Sequence, residues 1–225
     1  MSLLPELEFI VAEWLVQPPL KLKSFFDPNQ LDWSMLSHNP NAIHLLEKQL
    51  EKDPDVLNKI SWYGLSQNPN AMSLLEKNPN KINWYGLSCN PNAIHLLNKQ
   101  LEKNPDKISW SGLSSNPNAI HLLEKQLKKD PDGIDWIMLS SNPNAIHLIE
   151  KQLEKNPDKN SWFWLSRNPN AIHLIEKQLE KDPDKINWLE LSRNPNAIHL
   201  LEKQLKKDPD EIGSCGLSSN PSILR

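Results

Sequence analysis

The stretch SSNPNAIHLLEKQLKKDPDGIDW, Ser114 to Trp136, decides the fold. Strong helix formers stand on both sides of Asn116-Pro117 and Asp130-Pro131, so a helix is stopped and restarted on schedule. Asparagine or aspartate before proline is an N-cap followed by a residue whose fixed φ and missing N–H suit the first helical position. The same dipeptide pushes the residue before proline out of the helical region and closes the helix behind it. Two such signals in close succession predict two short helices with almost no linker, folded back as a hairpin. In the copy around Trp136 the spacing predicts a first helix, A, from about Pro131 to Ser141 and a second, B, from about Pro143 to Lys155.

Working outward, the pattern recurs along the chain. Tryptophan sets the register at Trp33, Trp62, Trp84, Trp110, Trp136, Trp162 and Trp188, with Ser214 in the eighth equivalent place. From Trp84 onward the spacing is 26 residues, and the unit reads W-x-x-L-S-x-N-P-N-A-I-H-L-L-E-K-Q-L-E-K-x-P-D-K-I-x. The copy from Trp62 has 22 residues because EKNPNKI lacks a Gln-Leu-Glu-Lys segment, which removes roughly one helical turn. The copy from Trp33 has 29, with Val56-Leu57-Asn58 inserted beside a turn. Both changes keep a helical face in phase.

Helical periodicity sorts the side chains. On helix B, Ala145, Ile146, Leu148, Ile149 and Leu153 fall on one arc, and His147, Glu150, Lys151 and Glu154 on the other. On helix A, Ile134, Trp136 and Leu139 share a face that includes position 138, where other copies carry Gly64, Gly86, Gly112 or Gly216. Glycine there sacrifices helix propensity and permits close approach of a neighbouring helix. One unit has too few apolar side chains to offset the ordering of its own backbone. Stacked units share their faces, so the chain reads as an all-α protein, an α-solenoid of tandem helix-turn-helix repeats expected to wind as a right-handed superhelix. Residues 1–26 are expected to form an N-terminal helical cap, with Leu4, Leu7, Val11, Trp14 and Leu15 covering the first repeat. Residues 27–225 hold the tandem αα-hairpins, seven copies plus a partial eighth.

Composition narrows the function classes. A net charge of -3 from 25 basic and 28 acidic side chains provides no global attraction to nucleic acid or anionic lipid. Cys89 and Cys215 lie far apart, so a reducing, intracellular, cytoplasmic compartment is expected. The opening MSLLPELEFIVAEWLV is interrupted by Glu6, Glu8 and Glu13 and lacks a basic leader, so no signal peptide or membrane span is expected.

No nucleophile paired with a base stands out, and neither catalysis nor a cofactor is expected. Histidine recurs at His44, His95, His121, His147, His173 and His199, with Ser73 as the gap. Packed equivalent helices stand about 8–10 Å apart, whereas the ligands of one metal lie about 2 Å from it. Neighbouring histidines therefore form a solvated ridge, and no metal site is expected. The EKQLEK blocks set an acidic stripe, Glu150 and Glu154, against a basic one, Lys151 and Lys155, so the acidic edge of one helix B is expected to meet the basic edge of the next.

Function in a repeat protein lies where copies differ on the surface. The position after tryptophan and the one four later vary together and share a stripe on helix A. Its members include Ser34/His38, Ser111/Ser115 and the expected partner-binding residues Tyr63, Gln67, Tyr85, Cys89, Ile137, Phe163, Arg167, Leu189 and Arg193. Lys59, Lys81, Lys107, Lys159 and Lys185 lie one turn earlier. Aromatics rimmed by Lys and Arg suit a protein partner, and as an alternative single-stranded nucleic acid. Packing against the neighbouring repeat is the third possibility for this stripe. In one copy Asn160 replaces the usual Ile, and Trp164 the usual Gly or Met.

In its logic the chain resembles tetratricopeptide and Sel1-like αα-hairpin repeats, which present a curved groove to protein partners, though its units are shorter and their signature residues are absent. Its letters, LSxNPNAIxLLE…NPDKIxW, resemble the short tandem repeats of giant DNA virus proteins over Trp33 to Pro221. That resemblance implies an origin, and is compatible with a structural virion component. The sequence as a whole points to a protein-interaction or assembly scaffold, with self-association through the C-terminal end as a further expectation.

Overall fold

The computed structural model describes residues 30–212 and 214–223, and among these every regular element is helical. The expected N-terminal cap lies outside the described residues. The chain divides into two compact units, up to Ile82 and from Asn83. Within each the repeats stack side by side as an α-solenoid, helix A against helix A, as in the neighbouring helices Trp110–Ser115 and Trp136–Leu139.

The prolines do less than the sequence suggests. Helix A runs from Trp136 to Leu139, not from Pro131, and helix B from Ile146 to Lys155, not from Pro143. Each proline opens a single tight turn: in the Asp53-Pro54 and Asn156-Pro157 copies this is a 3-10 turn capped by the Asp or Asn side chain. The α-helix starts afresh at tryptophan because the preceding residue is itself an N-cap. Asp135 has extended backbone, φ -93 and ψ 99, and its carboxylate accepts from Met138 N–H at 3.0 Å. Ser61, Asn83, Ser109 and Asn187 do the same in their copies. The Ile before the cap and the Leu four residues after it are both buried in the pairs Ile60/Leu65, Ile108/Leu113, Ile134/Leu139 and Ile186/Leu191, a hydrophobic staple across the helix start.

Helix B ends where its glutamine turns back. Gln100 and Gln178 donate through Nε2 to the carbonyls of Asn104 and Asp182, the residues just before proline. These carbonyls have no intrahelical partner. The shortened copy has a helix B of six residues, Met72–Lys77, where full-length copies have ten, or eight in Ile120–Leu127, so the deletion removed about one turn. The insertion beside Asp53 lengthens a 3-10 turn to Pro54–Asn58 and buries Val56.

One apolar layer runs through each unit. Leu65, Leu87, Leu113, Leu139, Leu165 and Leu191 of helix A and Leu75, Leu97, Leu123, Ile149 and Ile175 of helix B are fully buried, with the alanine of each NPNA between them. The faces drawn from helical periodicity hold: Ala145, Leu148 and Ile149 are buried, and His147, Lys151 and Glu154 exposed.

A polar spine accompanies this layer. Ser114 is fully buried; its hydroxyl donates to Trp110 O at 2.7 Å and accepts from the next repeat's Asp135 N–H at 3.1 Å. Asn142, also fully buried, donates through Nδ2 to Ser114 O at 3.0 Å and Asn116 O at 2.9 Å, while its Oδ1 accepts from Asn144 N–H. Asn116, Asn168, Asn194 and Asn220 repeat both reaches into the repeat before. A second, exposed rung joins Asn118, Asn144, Asn170 and Asn196 to the preceding proline carbonyl. The asparagine of each NP thus caps its own turn and ties adjacent repeats.

Candidate partner-binding surface

Helix A is so short that its first residue after tryptophan has no turn above it to pack against, and its side chain points away from the apolar layer. Tyr63, Tyr85, Ile137, Phe163 and Leu189 occupy that position and are between 40% and 57% exposed. The apolar half of the sequence-derived stripe is therefore surface and does not pack between repeats. Ile137, Phe163 and Leu189 stand on three successive repeats of the second unit. Phe163 meets its neighbour Trp164 edge-on, ring centroids 5.0 Å apart, which holds the phenyl ring in place.

The other half of the stripe is less open. Gln67, Cys89 and Arg193 are only half-exposed, and Cys89 lies at the seam between consecutive A helices. A Cβ built on Gly64 would lie 2.7 Å from His38 Nε2, and one on Gly112 2.9 Å from Ser88 Cβ and 3.0 Å from Cys89 Sγ. Within each unit the residue five after tryptophan thus packs against the position two after tryptophan in the next repeat, as His38 does on Gly64 and Cys89 on Gly112. Size alternates across this seam: His38 and Cys89 face glycine, and the same register sets Ser115 opposite Met138 and Ser141 opposite Trp164. Gln67 also donates to Tyr63 Oη at 2.9 Å and braces that ring.

Replacing Gly112 with methionine is accordingly expected to cost about 1–3 kcal/mol of stability through overpacking. Adding Cys89→Ser, which recreates the Ser115/Met138 pairing, should recover part of that loss. Urea denaturation of the single and double variants measures both.

Arg193, and more loosely Arg167, is likewise engaged inside the chain. Both approach Glu190, which takes the glycine position of its copy and is 4% exposed: Arg167 Nη1 stands 3.8 Å from Oε2, and Arg193 Nη1 bonds to Oε1. Arg193 is drawn down to the seam by this pair, whereas the Arg167 side chain remains 57% exposed. Two lysines of the row are also paired: Lys159 bridges to Asp132 and Lys185 to Asp158 at 3.7 Å, each an aspartate of the preceding repeat. At these two repeats the acidic partners offset the positive charge that a nucleic-acid reading of the stripe relies on.

The histidine ridge is real and its partner differs from expectation. His147, His173 and His199 meet Glu124, Glu150 and Glu176 of the preceding helix B at 3.0, 2.8 and 2.9 Å, and Ser73 reaches Glu47 in the same way at 2.8 Å. The expected glutamate-to-lysine edge is replaced because adjacent B helices are offset. The second residue of one helix B, His173 in Ile172–Lys181, lies beside the fifth of the preceding one, Glu150 in Ile146–Lys155. Such exposed pairs contribute about 0–1 kcal/mol each. Among the described residues no group of three His, Cys, Asp or Glu side chains is placed to hold a metal ion.

Two of the hollows among the described residues lie in the second unit. One, of about 930 Å³, sits between the last two full B helices, floored by Leu179, Ile186, Trp188 and Leu200. The other, an open hollow of about 760 Å³, lies on the stripe itself where Ser111 leaves the row of large side chains vacant. Trp110, Ile134, Trp136 and Ile137 form its apolar wall, and Asp132, Asp135 and Asp158 its edge, together with Lys159, which is itself paired with Asp132. The sequence comparison marked Ser111 as part of the stripe and did not reveal a hollow. The signal was present in the small residue at 111 followed by Gly133, where neighbouring copies carry Lys107, Lys159 and Lys185.

Comparison with known proteins returns no match to a family model, to a curated protein or to a solved structure. No described helix is long and apolar enough to cross a membrane.

Proposed function

We propose that this chain is a non-enzymatic scaffold that binds a protein partner along the exposed face of its A helices. One observation carries the reading: Ile137, Phe163 and Leu189 on successive repeats, with Tyr85 further along the same register, leave large apolar side chains exposed in one row. Scattered surface apolar residues are ordinary, but a row fixed by the repeat forms a patch of the kind that marks interaction sites. The row varies in identity while the serine and asparagine spine beneath it is the same in each copy. That division of labour suits recognition mounted on a constant frame. Aromatic side chains and Arg167 supply anchors. The resemblance to giant-virus repeats is compatible with an assembly role in virion or host cytoplasm.

A photo-crosslinking amino acid placed at Phe163 is expected to capture a discrete partner in the native host, while the same group at Lys151, on the exposed face of helix B, captures none or a different set. Identical products from both faces would refute the assignment of the stripe.

A further inference from the structure

We infer that the occupant of the stripe is an amphipathic helix of a partner protein, seated with a lysine or arginine in the Ser111 hollow and apolar residues seven apart on Ile137, Phe163 and Leu189. This deepens the scaffold reading and rests on it.

The hollow selects the cation. At the two positions where neighbouring copies carry lysine and a neutral cap, Lys107 with Ser109 and Lys159 with Ser161, this copy has Gly133 and Asp135. One positive charge is lost and one negative gained at a single repeat. Gly133 and Asp135 both line the hollow, together with the rings of Trp110 and Trp136. Carboxylates beside indole faces accept a cationic head on an apolar stem, by ion pairing and cation–π attraction. Lys159 and Lys185 already engage Asp132 and Asp158, which leaves the Asp135 carboxylate as the unmatched charge; it only caps Met138 N–H.

The spacing selects a helix. Packed neighbouring helices stand about 8–10 Å apart, and seven residues of α-helix rise about 10.5 Å. Three apolar residues in heptad positions therefore keep step with three successive A helices. Charge sets the direction. At the far end Arg167 and Arg193 share the single carboxylate of Glu190, and Arg167 is the more exposed of the two. The partner helix places an acidic residue there and its basic residue at the hollow.

The test is selection of helix-forming peptides of about 20 residues, with one randomised face, on the full chain. Enriched peptides are expected to share a Lys or Arg ahead of heptad-spaced apolar residues and an Asp or Glu towards the other end. Their affinity is expected to fall at least tenfold in the Gly133→Lys/Asp135→Ser variant. Those substitutions install residues that neighbouring copies carry, and the atoms that a Cβ at position 133 would crowd most are the side-chain ends of Gln126 and Asp130, which can swing aside, so the frame survives. Enriched peptides without the basic residue, or with affinity unmoved by that variant, overturn the inference and leave the stripe standing. Failure to enrich over a Tyr85→Ser/Ile137→Ser/Phe163→Ser/Leu189→Ser chain, in which each position takes the serine of Ser34 and Ser111, overturns the scaffold reading as well.

Discussion

Replacing Asn142 with alanine is expected to lower the stability of the second unit by roughly 3–5 kcal/mol. The substitution removes two donations to the preceding repeat, at 3.0 Å to Ser114 O and 2.9 Å to Asn116 O, and the acceptor for Asn144 N–H. Each net bond is worth about 1 kcal/mol, and a buried group left unpaired costs about 1–3 kcal/mol. Asn144→Ala, which loses one exposed bond to Pro117 O, is expected to cost about 1 kcal/mol or less. Asn142→Asp should be worse than alanine, because it turns a carboxylate oxygen towards two carbonyl oxygens at a fully buried site. In a stack each repeat is held by its neighbours alone, so the loss is local. Hydrogen exchange should speed first in Trp110–Ser115 and Ile146–Lys155, the helices on either side of the lost tie. Equal effects of Asn142→Ala and Asn144→Ala would show that the buried rung has no special weight.

This asparagine also shows where the sequence could be read and where it could not. Tryptophan spacing identified the unit, and the apolar arcs of helix B identified its buried face, because both depend on residues close in the chain. The missed contacts join residues 26 or 28 apart, and a cap signal alone does not reveal them. A trace of the second job was nonetheless present. The first turn of every copy carries Asn, from Asn39 through Asn220, whereas the second turn takes Asp53, Asn78, Asn104, Asp130, Asn156, Asp182 or Asp208. A pure N-cap accepts either residue; only the first turn needs an amide donor. The limits of helix A were misjudged for a related reason. The Asn/Asp-Pro signal is strong, but the serine, asparagine or aspartate before each tryptophan is the cap that starts the α-helix, and its extended backbone separates the proline turn from it. On the stripe, periodicity set Tyr85, Ile137 and Phe163 away from the Ile–Trp–Leu face but left packing against the next repeat open; their exposure is a finding of the structure. The engagement of Arg167 and Arg193 with Glu190 did not follow from periodicity, because it depends on which repeat carries an acid at the glycine position.

Asn160→Ile is expected to stabilise the second unit by roughly 2–4 kcal/mol, a gain that few single substitutions reach. Asn160 is 7% exposed, and neither its Nδ2 nor its Oδ1 has a hydrogen-bond partner; the indole N–H of Trp162 beside it is also unpaired. The equivalent Trp136 N–H donates to Pro131 O at 3.4 Å, so the irregularity extends beyond the amide itself. Trp164 does not compensate for it: its side chain lies at the seam against Phe163 and leaves both Asn160 atoms unpaired. Isoleucine relieves about 1–3 kcal/mol of unpaired amide and buries an apolar side chain worth about 1.5–3 kcal/mol. The pocket is already shaped for it, since Ile108, Ile134, Ile186 and Ile212 occupy the same position and are buried. Ile134→Asn, the inverse change one repeat earlier, should lose a comparable amount. Chemical denaturation followed by tryptophan fluorescence compares the two variants with the parent chain. An unchanged midpoint for Asn160→Ile would mean that the amide finds partners in solution, and that the seam at Trp162 is as strong as its neighbours.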